Sequence, residues 1–314
     1  MAFTVAPLHN ISIYPGTQIP FGAGFLLSDV PRWLREDSLL RQLGRRHSDA
    51  VQLAQHALIA EYPAAGYGEA DPDWKGDGPQ SIQNSKYQAA LLAGLALWLA
   101  RPTSAGFTLV FHAISLNTDD VEMPPVIQAV DSHNKVERYN GIQDTLTSLN
   151  DVMDAAKLHN ALLSIPKKNA VWTATRALWS AITTSAVDLR YLLFWIALEA
   201  LFGPNEGTEV SFKIAQRISF FTADASKTAR ENLKVVKECY SMRSKIVHGR
   251  WEGDPKMAKA METTENAARI VFLYLLRHPE LMAVFRSRKR DEFLEDWVFS
   301  RQIDPPPLAN YLGA

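Results

Sequence analysis

The sequence predicts an α+β protein in two parts. A mixed α/β N-terminal module occupies residues 1–168, and a C-terminal antiparallel helical bundle occupies 169–302, followed by a Pro-rich tail, 303–314. Three observations predict this. Before about residue 165, short runs rich in β-branched and aromatic residues alternate with helical patterns; from about 170 onward the pattern is helical almost throughout. The connections between the long helices are short, which favours antiparallel neighbours. Finally, 314 residues, at roughly 150 per domain, accommodate two domains of ordinary size.

Taken in order, Phe3, Val5, Ile11 and Ile13 stand among turn residues, with Pro15-Gly16 after them, and predict short strands. Leu39, Leu40, Leu43, Val51, Leu53, Ala54 and Leu58 recur at helical spacing and predict a helix over 37–60. Residues 61–80, EYPAAGYGEADPDWKGDGPQ, read as a loop. A helix over 82–100, strands over 107–115 and 125–131, and a helix over 142–163 complete the module. One long helix is then expected from Trp172 to Phe202, stopped by Gly203-Pro204. Further helices follow over 210–221, from 226 to Val247 or His248, over 255–277 before Pro279, and over 289–300. Gly249 is placed to end the third of these five helices. The boundary between the two parts falls around Ile165–Ala170.

Composition excludes several classes. At 47% hydrophobic and 21% charged residues, with 16 Gly and 17 Pro, the chain has a globular profile and can bury a core without covalent staples. Its one cysteine, Cys239, can form neither an internal disulfide nor a zinc site alone. The start, MAFTVAPLHNISIYPG, lacks the basic and apolar regions of an export signal. The most apolar stretch, Tyr87–Ala100 between Lys86 and Arg101, is 14 residues long, too short for a bilayer. A cytoplasmic location without membrane attachment is expected. The net charge of −1 is a cancellation: residues 1–175 carry −4 and residues 176–302 carry +4. Seven basic and two acidic side chains fall within 227–250, a concentration compatible with phosphate binding and equally with a solvated helix face.

Most motifs do not survive their spacing. Asp71, Asp73, Gly76 and Asp77 mimic a calcium loop, but its fifth place is Lys75 and its twelfth is Ile82, where a bidentate Glu is needed. Phe21-Gly22-Ala23-Gly24 opens like a dinucleotide loop, yet Leu27 replaces the third glycine, which leaves a turn. Histidines 9, 47, 56, 112, 133, 159 and 278 show no metal-ligand spacing. No phosphate-loop lysine motif and no nucleophile elbow are present. Neither a metal nor another cofactor is expected.

One segment stands apart: Cys239-Tyr-Ser-Met-Arg-Ser-Lys-Ile-Val-His-Gly249. At 100° per residue, Val235, Cys239, Met242 and Ile246 share a stripe about 60° wide, expected to face the core. Tyr240, Ser244 and His248 stack at i, i+4 and i+8 on the other half, where Val236 and Val247 add apolar surface. Histidine suits general acid–base work near neutrality. Arg243 offers a rigid five-donor fork for a phosphate. The two lie about 140° apart on the helix, so two copies of it, meeting across a symmetric interface, would be needed to gather them in one cleft. A capping histidine and a salt-bridging arginine account for the same spacing.

Three pieces in order, ALEALFG (197–203), VSFKIAQRISFF (210–221) and ECYSMRSKIVHG (238–249), resemble the HEPN superfamily and most closely its Apea-like branch. The last contains the R-x4-6-H signature as Arg243 to His248 with the following glycine. The resemblance covers about 90–130 residues within roughly 172–300. It implies a bundle that dimerises, with two such motifs lining a shared cleft, and metal-independent cleavage of RNA in toxin–antitoxin systems or phage defence. Carried over, Arg243 and His248 would be catalytic, with Ser244, Glu199 and Tyr240 supporting them. Lys237, Lys245 and Arg250 are candidates for RNA contact. Glu199 matches an acidic position of the branch and would orient Arg243 or His248, or pair with Arg217 as a structural ion pair. Ser244 departs from the larger polar residue that many nuclease members carry after the arginine. Expected partners are RNA, a second copy, and an antitoxin or regulatory protein. Two alternatives stay open: a non-catalytic HEPN protein that binds nucleic acid or protein, and a ligand-sensing regulator whose pocket lies in the N-terminal module.

Overall fold

The computed structural model describes residues 2–62, 79–113, 126–131, 136, 145–205, 209–223, 228–250 and 256–300. The chain divides into two units, Met1–Ser164 and Ile165–Ala314. The first is α+β and the described part of the second is all helical. The calcium-like positions Asp71, Asp73, Gly76 and Asp77, His133 and the Pro-rich tail lie outside the described residues.

The first unit is built on an antiparallel sheet. Its strands are β1 (Ala2–Leu8), β2 (Ile19–Pro20), β3 (Phe25–Asp29), β4 (His56–Tyr62), β5 (Leu109–Ala113) and β6 (Val126–Asp131), in the spatial order β2-β3-β4-β1-β5-β6. β1 lies inside the sheet, paired with β4 from Ala2↔Tyr62 to Leu8↔His56 and with β5 through Val5↔Phe111. Side chains alternate across a strand, so Val5 and Phe111 share one face with Ala57. Trp33 and Leu34 of a short 3-10 turn (Arg32–Arg35) and Leu39, Leu40 and Val51 of α1 (Asp37–Leu53) cover that face. On the opposite face Phe25, Ala60, Thr4 and His112 form one row across the sheet, with Lys86 of α2 (Pro79–Ala100) over the Phe25 ring. α3 (Leu149–Leu163) packs on α2, where His159 donates from Nε2 to the Ala89 carbonyl at 2.9 Å. Gly22 permits close approach here, since a Cβ would collide with the Leu163 side chain.

Several expected boundaries shift. The helix expected over 37–60 ends at Leu53, and residues 56–62 form β4 between two partner strands. The apolar run Ala57–Ala60 within HALIAEY continues the helical spacing of Leu39 to Leu53, so periodicity alone does not separate strand from helix here. α1 is itself broken at Gly44, with φ 71° and ψ 157°. Residues 61–62 belong to β4 and 79–80 to α2, so the expected loop is shorter at both ends. Ile11 makes only an isolated bridge to Leu146, and α3 begins at Leu149 rather than at 142. Much of the apolar run Tyr87–Ala100 is buried in α2, with Leu95 to Leu99 at 0% exposure. Among the described residues no helix is long and apolar enough to cross a membrane.

The second unit contains α4 (Ala170–Thr183), α5 (Val187–Phe202), α6 (Val210–Phe221), α7 (Ala229–Val247), α8 (Met257–Arg277), α9 (Pro279–Arg286) and α10 (Arg290–Ser300). The single helix expected from Trp172 to Phe202 is two, α4 and α5, packed together as a hairpin. Thr183 and Thr184 end the first of them, their hydroxyls bonding the Trp179 and Ser180 carbonyls and competing with the helical ladder. α9 was not foreseen: Pro279, read as a stop, occupies the first turn of a new helix, where its missing N–H has no cost. Phe202, Phe221, Phe285, Phe293 and Trp297 pack edge-on or tilted, with centroids 5.2–6.3 Å apart. Beside them buried Arg217 pairs with Asp291 at 2.6 Å and Glu295 at 3.3 Å, and donates to the Phe202 carbonyl. Arg290 donates to the Ala200 and Gly203 carbonyls and so closes the end of α5.

Candidate functional site

α7 carries the arginine–histidine segment, and both of its ends are locally specified. At the start, the Thr228 hydroxyl accepts from the Glu231 N–H while Glu231 accepts from the Thr228 N–H, a reciprocal capping box. At the end, Gly249 adopts φ +64° and donates to the Ile246 carbonyl, and Arg250 donates to the Lys245 carbonyl at 2.8 Å. This pair of bonds is a Schellman motif. It places His248 at the C-cap, where the helix stops turning.

Three side chains one turn apart on α5 hold α7. The Tyr191 hydroxyl donates to the Cys239 carbonyl at 2.7 Å. Trp195 meets Tyr240 edge-to-face, with centroids 5.0 Å apart. Glu199 pairs with Arg243: Nε lies 3.0 Å from Oε1, and Nη2 donates to Oε2 at 3.0 Å. Residues 191, 195 and 199 are at i, i+4 and i+8, so one ridge of α5 makes all three contacts. Burial raises the Tyr191 hydroxyl well above the ordinary phenol value, which keeps it a donor. Burial, followed by the Glu199 carboxylate, raises the Tyr240 hydroxyl as well. The Cys239 thiol is also pushed up by burial and carries no nucleophilic role.

The core face of α7 is rotated from its expected phase. Val236, Cys239 and Met242 are buried, whereas Val235 is 40% exposed and Ile246 only partly buried. The buried stripe therefore turns towards Val236, which with Cys239 faces Trp195 and Leu198 of α5, Ile218 of α6 and Thr264 of α8. Arg243 consequently sits at the edge of the core contact and not on a free polar half. Its pairing resolves the alternatives for Glu199, which meets Arg243, while Arg217 takes Asp291 and Glu295. Tyr240 is held between Trp195 and the Arg243 guanidinium, whose Cζ is 5.6 Å from the Tyr240 ring centroid. Ser244 is half-buried.

His248 is exposed, and its ring makes no hydrogen bond or ion pair with any described residue. Arg243 keeps Nη1 without a protein acceptor among the described residues, so part of the fork remains available to an anion. Lys237, Lys245 and Arg250 are exposed; Lys237 lies over the Phe212 ring, with Nζ 4.7 Å from its centroid. The partly held arginine, the free imidazole and the surrounding cations are the groups that phosphate chemistry would use. Trp195 was not singled out in the sequence, since an apolar residue in an apolar helix carries no motif. Among the described residues no group of three or more His, Cys, Asp or Glu side chains could hold a metal ion. Comparison with protein-family profiles, characterised proteins and solved structures found no match to this chain.

Proposed function

We propose that the helical unit is a HEPN-type, metal-independent endoribonuclease with Arg243 and His248 as its catalytic residues. The observation that carries the reading is the end of α7. The Schellman turn at Gly249 presents at the C-cap an imidazole, one and a half turns from a guanidinium; among the described residues neither that ring nor the Nη1 of that guanidinium has a protein partner. His248 would accept the proton of a ribose 2′-hydroxyl as that oxygen attacks the adjacent phosphorus. The bond to the 5′-oxygen breaks, and that oxygen takes a proton from the imidazolium so formed, or from the same group of a second copy. The products are a 2′,3′-cyclic phosphate and a 5′-hydroxyl. Arg243 would hold the phosphoryl oxygens and offset charge developing on them. Glu199 acts as a positioning residue, fixing the guanidinium plane through its two contacts. Because Arg243 and His248 diverge on one helix, a complete cleft takes both motifs from a dimer. RNA in a cytoplasmic defence or toxin–antitoxin setting fits this chemistry.

A non-catalytic role in nucleic-acid or protein binding is the second reading. It is favoured by the paired contact of Arg243 with Glu199, which is also what a structural ion pair looks like. Cleavage of RNA in EDTA separates the two. Wild type should cleave, and Arg243→Ala and His248→Ala should each lose at least about 100-fold of the rate, the scale of a single acid–base or charge-stabilising group. Cleavage that persists in both variants sinks the assignment. A mass in solution corresponding strictly to one chain would remove the two-copy cleft.

A further inference from the structure

A second concentration of unneutralised positive charge lies in the first unit, far in sequence from α7. The 3-10 turn Arg32–Arg35 is anchored by Trp33 and Leu34, both fully buried. A 3-10 turn repeats every three residues, so its first and last side chains emerge on the same side. Both are arginines here, and both line a pocket of about 420 Å³ with Asp29, Val30, Gln55 and His56. That size falls within the range of about 300–1,000 Å³ typical of small-ligand pockets.

The described residues balance the charges in this pocket only in part: two guanidiniums face one carboxylate. Arg32 makes no hydrogen bond or ion pair with any described residue. Arg35 has a single partner among the described residues, the Ala54 carbonyl, 3.2 Å from Nη2. The acid in the lining, Asp29, contacts groups other than the two arginines: Oδ2 accepts from the Gly16 N–H at 2.9 Å, and Oδ1 faces Nδ1 of His56, in the same lining, at 3.4 Å. His56 is 1% exposed, with Nε2 against the Ile13 backbone and no hydrogen bond at Nδ1. Two rigidly based forks and a buried imidazole thus border one concavity.

We propose that this pocket binds a small ligand through a phosphoryl group. Two guanidiniums match a phosphoryl dianion in both charge and the geometry of paired N–H donors. Among the described residues the aromatic ring that lines the pocket is that of His56, which at 1% exposure offers no open face for a base to stack on, so the phosphoryl group supplies the recognition. The site lies within the first unit and does not depend on the nuclease reading of the second.

Isothermal titration of the full chain, at constant ionic strength, tests it. Pyrophosphate and AMP are the probes, citrate is the carboxylate control, and wild type is compared with Arg32→Gln/Arg35→Gln and with Arg243→Ala. Saturable binding of pyrophosphate or AMP is expected, weakened about tenfold or more in the double variant and retained in Arg243→Ala. Tighter AMP binding identifies a nucleotide ligand and tighter pyrophosphate binding a free polyphosphate, and either supports the site. No saturable binding of either probe, equal binding of citrate, undiminished binding in the double variant, or loss in Arg243→Ala would each overturn it. Should circular dichroism show the double variant unfolded, Arg32→Gln alone decides, since that guanidinium holds no other described residue.

Discussion

At the scale of the residue, Arg243 has two demands on it. Its fork is half spent on Glu199, and the side chains of the pair are 26% and 23% exposed. A fully exposed ion pair is worth at most about 1 kcal/mol, whereas leaving a partly desolvated charge unpaired costs about 1–3 kcal/mol. Glu199→Ala should therefore lower the urea stability of the second unit by about 1–2 kcal/mol. If the nuclease reading holds, it should also slow cleavage, because the guanidinium loses its fixed plane. A variant that unfolds at the wild-type urea concentration would show the pair to be energetically idle. Arg243 is identifiable from its spacing to His248, but the sequence leaves its partner Glu199 divided among Arg243, His248 and Arg217. Glu199 lies 44 positions away, and only the docking of α5 on α7 chooses between Arg243 and Arg217.

At the scale of the element, α7 is locally specified at both ends. Thr228 and Glu231 set its start, Gly249 sets its end, and each signal is local. Gly249→Ala has room for its methyl group, with nothing within 4 Å, so the backbone alone opposes it. An L-residue at φ +64° is disfavoured by about 1–2 kcal/mol. The thermal midpoint should fall accordingly, and His248 should lose its fixed place at the cap; an unchanged midpoint would mean that the helix end frays without consequence. The split between α4 and α5 was not legible, because the apolar period of α4 resumes in α5 with no Gly or Pro between them. The same holds for β4, whose strand character depends on having β1 and β3 on either side.

At the scale of the whole molecule, acid acts on the first unit through two buried histidines. His112 and His159 are buried in the first unit, and burial lowers both from the ordinary imidazole value to about 4. Between about pH 6.5 and 4 the unfolded chain then binds protons that the native unit refuses, so stability must fall as the pH drops through that window. Each histidine can contribute up to about 3 kcal/mol of this loss. Urea denaturation followed across pH 7 to 4 should show the sheet-bearing unit weakening, and His159→Gln should flatten part of the decline. A flat wild-type profile over that window would refute the origin assigned to it.

The limits of α6, the ends of α7 and α8 and the presence of an N-terminal sheet follow from neighbours along the chain, as does the start of α7, which Thr228 and Glu231 set at Ala229 and not at the expected 226. Caps, stops and periodicity act over a few residues, and those few residues are contiguous. The phase of α7 in the core, the choice of Arg243 by Glu199 and the meeting of Arg32 and Arg35 with His56 do not follow in this way. Each joins segments separated by tens of residues, whose approach is set by the packing of helices on one another and of β4 between its neighbours. Local signals decide that a helix forms and where it stops; the side it turns inward depends on the partner it finds.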